Sequence, residues 1–198
     1  MAKQIEVGRL LRAGTAGFVV GCRVNQIDGP AFGALVRAQL GEAYQVFGLI
    51  HDIRIDDDGL IRQLATTENV SDEVLRDNRE RRIVPVELSV VALGFEDGTG
   101  IHHLLPPRPP LSLDLIYLCD ASDIRRFTSA GHFGYFRHLL GRPDLPVGDL
   151  LAAHMLQTQA ARDDGDAWKR AAIQEVIALL RGDYAALTSV LGALNQGV

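Results

Sequence analysis

Pro106-Pro107-Arg108-Pro109-Pro110 divides the chain into two halves of different hydrophobic rhythm. Each proline fixes φ and gives up a backbone donor, so the segment is extended and cannot run through the middle of a sheet. Before it, apolar residues come in short β-branched runs broken by Gly and Asp. After it, one short strand, Leu113 to Cys119, is followed by 3.6-residue spacing to the end. The expected fold class is therefore α+β, with a small antiparallel β-barrel in residues 1–119 and a helical region in residues 120–198.

Working back from the prolines, four runs read as strands over about residues 15–105. They are Gly17 to Val24, Phe32 to Ala38, Tyr44 to Ile55 and Val86 to Phe95. Gly29-Pro30, Asp56-Asp57-Asp58-Gly59 and Asp97-Gly98 punctuate them as turns. Glycines inside several strands predict bulges or sharp coiling, as a small closed barrel requires. One helix interrupts, Ser71 to Arg82. Ser71 can cap it, Asp72 and Glu73 sit in its first turn and Arg79, Arg81 and Arg82 in its last, and Pro85 ends it.

Working forward, Asp120 caps a short helix and His132 to Leu140 makes another. Pro146 suits the first turn of a third, reaching about Arg162. Asp166 caps a helix with Ile173, Val176, Ile177 and Leu180 on one face. Gly182 stops it, and Asp183 caps a last helix with Tyr184, Leu187, Leu191 and Leu194 in a stripe.

The 198 residues are 47% hydrophobic and 23% charged, the balance of a globular chain, and the net charge is −5. A general nucleic-acid binder needs the opposite sign to neutralise phosphates, so no direct nucleic-acid binding is expected. The N-terminus lacks an apolar targeting core, and no run reaches the roughly 18 apolar residues of a membrane span. A cytoplasmic location follows as the expectation. Cys22 and Cys119 lack CxxC spacing and read as reduced, buried thiols.

Motifs that carry chemistry are absent from the sequence. It holds no phosphate loop with its Lys, and Gly94 to Gly100 (GFEDGTG) reads as an acidic hairpin turn. His102 and His103 are neighbours on a strand, so their side chains point to opposite faces and do not converge on one metal ion. His51, His138 and His154 are scattered. The Asp56–Gly59 run lacks the alternating ligands of a calcium loop. Glu68, Glu73 and Glu80 are explained by a charged helix face. No catalytic residue, metal ligand or cofactor is assigned, and no enzymatic activity is expected. Arg76, Arg79, Arg81 and Arg82 are interleaved with Asp72, Glu73, Asp77 and Glu80. With Arg108, these arginines are the expected protein-contact surface.

Gly17-Phe18-Val19-Val20-Gly21, Phe32-Gly33-Ala34-Leu35-Val36-Arg37-Ala38 and Phe47-Gly48-Leu49-Ile50-His51-Asp52-Ile53 together resemble the HAS barrel, the HerA and ATP-synthase barrel family. The proline segment with Leu115-Ile116-Tyr117-Leu118 is similar to the exit from HerA-like barrels. The resemblance covers about the first 120 residues. It implies a stand-alone barrel in which a helical tail replaces the ATPase motor, so motor activity does not carry over. It further implies an oligomerising or adaptor module that docks to copies of itself, to a HerA-type ATPase or to an associated nuclease. The competing expectation is a small enzyme or ligand-binding protein with a site at the barrel–helix junction, using His102, His103 and Arg108.

Overall fold

The computed structural model describes residues 4–23, 30–41, 43–55 and 85–196. The expected Ser71–Arg82 helix, with Arg76, Arg79, Arg81 and Arg82, lies outside the described residues, as does the Asp56–Gly59 turn.

The described strands are β1 (Ile5–Gly14), β2 (Gly17–Arg23), β3 (Leu35–Gln39), β4 (Gln45–Ile55), β5 (Pro85–Asp97), β6 (Gly100–His102) and β7 (Leu115–Leu118). They form one antiparallel sheet in the order β2-β1-β7-β3-β4-β5-β6. A further pairing of β2 with β5, from Gly17↔Val91 to Arg23↔Pro85, closes the first six into a barrel. β6 is a short flap added to β5. Closure removes the long free edges that an open sheet would present.

The barrel starts earlier than the sequence reading placed it, because β1 was not expected as a strand. The cause is visible in its pairing. Register shifts lie between Glu6 and Gly8 against β7, and between Leu10 and Arg12 against β2. Bulges there bring Val7 and Leu10, three apart in sequence, both into the interior, so alternation is lost. Gly8 sits where a Cβ would lie 2.2 Å from the Gly21 carbonyl oxygen, so only glycine lets β1 and β2 approach this closely. The second expected strand is also shorter, since residues 31–34 turn before Leu35, with Gly33 at φ 80°. Pro85 opens β5 as its first residue, a position that costs little.

Two apolar cores result. Val20, Val36, Ala38, Val46, Ile50, Leu88, Val90 and Ile116 fill the barrel interior. The alternate residues Leu35, Phe47, Leu49, Val91 and Leu93 face outward, and the helices cover them. Strands buried on both faces read as continuous apolar runs, which is how Val46 to Ile50 and Val90 to Leu93 read.

The helices are α1 (Ala121–Ser129), α2 (Arg137–Leu140), α3 (Val147–Ala160), α4 (Gly165–Leu179) and α5 (Tyr184–Gln196), with a 3-10 stretch at Gly131–Phe136. Asp120 caps α1 as expected, accepting from the Asp123 amide, and Asp183 caps α5 through the Ala186 amide. Four details differ. The expected helix from His132 is broken, because Gly131, His132 and Phe133 take positive φ and drive Phe133 into the core beside Trp168, 5.7 Å between ring centres. Pro146 stands just outside α3 rather than in its first turn. α4 begins at Gly165, so Asp166 lies within its first turn, accepting from Gln159 Nε2 at 2.6 Å, and does not cap it; Asp164, which precedes the helix, is held by the Arg162 guanidinium at 2.7 and 2.9 Å. Tyr184 is exposed, so the last stripe packs through Val190 and Leu194 with Leu187 and Leu191.

Candidate functional site at the barrel–helix junction

Arg37 lies on the outward face of β3, between Leu35 and Gln39, and it is only 7% exposed. Its neighbours explain how a cation is tolerated there. Nε donates to Asp123 Oδ2 of α1 at 3.0 Å, and Nη1 donates to Gln45 Oε1 at 3.2 Å and Gln39 Oε1 at 3.4 Å. The guanidinium also lies 5.4 Å from the centre of the Tyr117 ring on β7. Charge pairing, hydrogen bonds and a π face together offset its desolvation.

A second group joins the first. Gln45 Nε2 donates to Glu96 Oε2, and Arg126 Nη2 of α1 donates to the same oxygen. Glu96 therefore ties β5 to α1, as Arg37 ties β3 to α1. Between the two arginines lies a polar cavity of about 350 Å³, with Tyr44 at its edge. It carries donors and acceptors of both signs and only a small apolar share.

The sequence-selected residues fall elsewhere. His102 and His103 separate, but not as neighbours on one strand: β6 ends at His102, and His103 follows it. His102 stacks on Phe95 at 4.9 Å and its Nε2 lies 3.1 Å from Asp97 Oδ1, inside the hairpin turn. Hydrogen bonds from the Thr99 hydroxyl and amide hold the Asp97 carboxyl down at about 2. His103 is buried, donates Nε2–H to the Phe127 carbonyl at 3.1 Å and packs on Phe127 and Tyr135. Burial lowers its pKa. Arg108 lies over the Tyr44 ring at 5.8 Å, and its carbonyl accepts from the hydroxyl of Tyr44, a residue that lines the cavity, at 3.3 Å. His103 takes no part in the cavity, whereas His102 adjoins it through Asp97 and Arg108 through Tyr44, both of which line it.

A buried relay of rings was not foreseen. Tyr135 packs 4.9 Å from His103, and its hydroxyl lies 3.0 Å from His154 Nε2. Complete burial pushes His154 down to about 4 and the Tyr135 hydroxyl upward. Both groups are neutral at ordinary pH and serve the helix–barrel contact. His138 donates to the His103 carbonyl, and His51 stands half-buried near Arg142 and Asp144.

Cys22 and Cys119 are free, buried thiols, as expected, and burial raises both pKa values, which leaves them poor nucleophiles. Arg37, Gln45, Glu96, Asp123 and Arg126 were missed as a group. The one sequence signal was a lone arginine within Leu35-Val36-Arg37-Ala38, since the partners lie 8 to 89 positions away. No protein-family model matches this chain, and no curated protein matches it.

Proposed function

We propose that the protein is a non-catalytic assembly module, whose barrel docks to a second copy or to a protein partner. The observation that carries this reading is the dressing of the proline segment. Leu104, Leu105, Leu111 and Leu113 are 52%, 45%, 69% and 67% exposed, while Pro106 and Pro110 between them are buried. Scattered exposed leucines need no explanation, but four on one segment, held outward by anchored prolines, fit a contact surface. Arg108, exposed on the same segment, adds the kind of residue that interfaces favour. The filled barrel interior agrees with a structural role, because packed apolar side chains leave no room there for a substrate.

The resemblance to HerA-type barrels proposes the partner class: a ring-forming ATPase or its nuclease in DNA processing, in the cytoplasm. No helix among the described residues is long and apolar enough to cross a membrane. Sedimentation of the purified chain, with capture from cell extract followed by identification of bound proteins, tests the reading. An associating chain, or one that recovers an ATPase or nuclease, supports it. A chain that stays monomeric at high concentration and recovers neither refutes it. Titration calorimetry with ATP should show no heat of binding.

A second reading rests on the polar cavity between Arg37 and Arg126. A small polar ligand held there would bridge β3, β5 and α1. A thermal-shift screen of nucleotides, metal ions and polar metabolites tests it, because a ligand that binds only the folded state must raise the melting temperature.

A further inference from the structure

Leu111-Ser112-Leu113-Asp114 is a tight turn fixed against β1. The Asp114 amide donates to the Leu111 carbonyl at 3.1 Å, and the Leu111 amide donates to Asp114 Oδ2 at 2.8 Å. The Leu113 amide donates to the Leu10 carbonyl at 2.8 Å, and the Leu10 amide donates to the Asp114 carbonyl at 2.9 Å. Leu113, third of the four, has φ 72°. A turn of this kind demands positive φ at its third position, and glycine supplies it without strain. Leucine does not, and its side chain here is 67% exposed, so no burial within the chain repays the conformation. Leu111 beside it is 69% exposed. A bulky residue held in a strained conformation to display apolar surface to water points toward recognition. The exposed Arg9 guanidinium donates to the Leu113 carbonyl at 3.1 Å and puts a positive charge at the base of this knob.

The helical region carries a hollow with apolar patches and an acidic group. α3 and α5 border a groove of about 620 Å³, in which Leu145, Val147, Val190 and Ala193 are interspersed with polar groups; its one cation, Arg142, is paired with Asp144, and Asp149 also lines it. Asp149 has no ion-pair partner among the described residues. We infer that the Leu111–Leu113 turn of one copy seats in the α3–α5 groove of a second copy, with Arg9 facing Asp149. The inference rests on the assembly reading and names its contact. Knob and groove are different surfaces, so the contact is head-to-tail and propagates into a ring or an open chain of subunits.

Two single substitutions test it without endangering the fold. Leu113→Gly removes the knob and relieves the strained φ, so its Tm should rise by about 2–4 °C while association falls about tenfold or more. Gly192→Lys fills the groove from α5, where a Cβ meets nothing within 4 Å, and sets a like charge against Arg9. It should weaken association to the same extent at unchanged or higher Tm. Each variant keeps the surface that the other has lost. Mixed in equal amounts, they should pair into dimers that do not grow further, as read by sedimentation velocity. Variants that assemble as the parent does overturn the contact and leave the assembly reading standing, as do variants that fail to pair when mixed. A monomeric parent that recruits no partner overturns both.

Discussion

Arg37 and His154 show two ways in which this chain buries polar side chains. Arg37 stays charged and is surrounded by partners, so removing one of them leaves an uncompensated ion. Arg37→Met should destabilise the fold by about 3 kcal/mol, and Asp123→Leu by a similar amount. The double substitution should cost clearly less than the sum, a coupling that urea denaturation of all four proteins measures. Additive losses would mean that the pair at 3.0 Å contributes nothing as a pair. His154 is buried neutral instead. Its pKa falls from 6.5 in the unfolded chain to about 4 in the fold, because burial penalises the charged ring. Protons therefore favour the unfolded state below pH 6.5. Its contribution is whole above that pH and is lost as pH falls toward 4, a difference of about 3 kcal/mol. His103, His138 and His51 are lowered by burial as well and act in the same direction. His154→Gln should flatten the decline of stability between pH 6.5 and 4, measured by urea midpoints, and lower the plateau near pH 7.5. An unaltered slope would remove His154 as its source.

Among the elements, the junction of β3 and α3 depends on one residue. Gly33 combines φ 80° with a tight approach, since a Cβ there would meet Ala153 Cβ at 2.6 Å and the His154 amide nitrogen at 2.9 Å. Gly33→Ala should therefore cost about 2–3 kcal/mol in chemical denaturation, the sum of a strained backbone and overpacking. Little loss would show that α3 can withdraw freely from the barrel. Gly33 also shows which parts of the fold were legible in sequence. Its glycine was visible, but the helix it faces lies 120 residues later, so the close approach was not. β4 and β5 were legible because long apolar runs bounded by turn residues leave few alternatives. β1 was not, since bulges near Gly8 and Leu10 break its period of two. The 3-10 stretch was misread because Phe133 and Trp168 pull the backbone out of helix, a tertiary effect that local spacing does not carry. Caps were partly legible: Asp120 and Asp183 hold theirs, whereas Asp166 falls inside the first turn of α4. The polar cavity was the least legible feature, because it joins β3, β4, β5 and α1 through side chains with no sequence spacing in common.

At the scale of the molecule, the proline segment marks a change of secondary structure without marking two separate cores. β7 follows the prolines and still completes the barrel, pairing β1 on one side and β3 on the other. A fragment ending before Leu115 would leave the barrel open, with two free edges. Ending at Cys119 keeps all six barrel strands but uncovers Leu35, Phe47, Leu49, Val91 and Leu93, which the full chain hides beneath Phe127, Tyr135, Phe136, Leu139 and Leu150. Uncovering five large apolar residues costs about 1.5–3 kcal/mol each on transfer to water, as much as the whole stability of an ordinary domain. Arg37 and Glu96 would lose Asp123 and Arg126 at the same cut. The helical region alone would fare no better, since the same rings would face water from the other side. Residues 1–119 and 120–198, expressed separately, should therefore each be insoluble or lack sharp thermal transitions. The full chain should melt in a single transition, with calorimetric and van't Hoff enthalpies in agreement. Co-expression of the two pieces should restore a soluble complex with that same transition. Two independent transitions in the full chain, or a well-folded soluble barrel from residues 1–119 alone, would show that the outer face of β3, β4 and β5 does not need its helices.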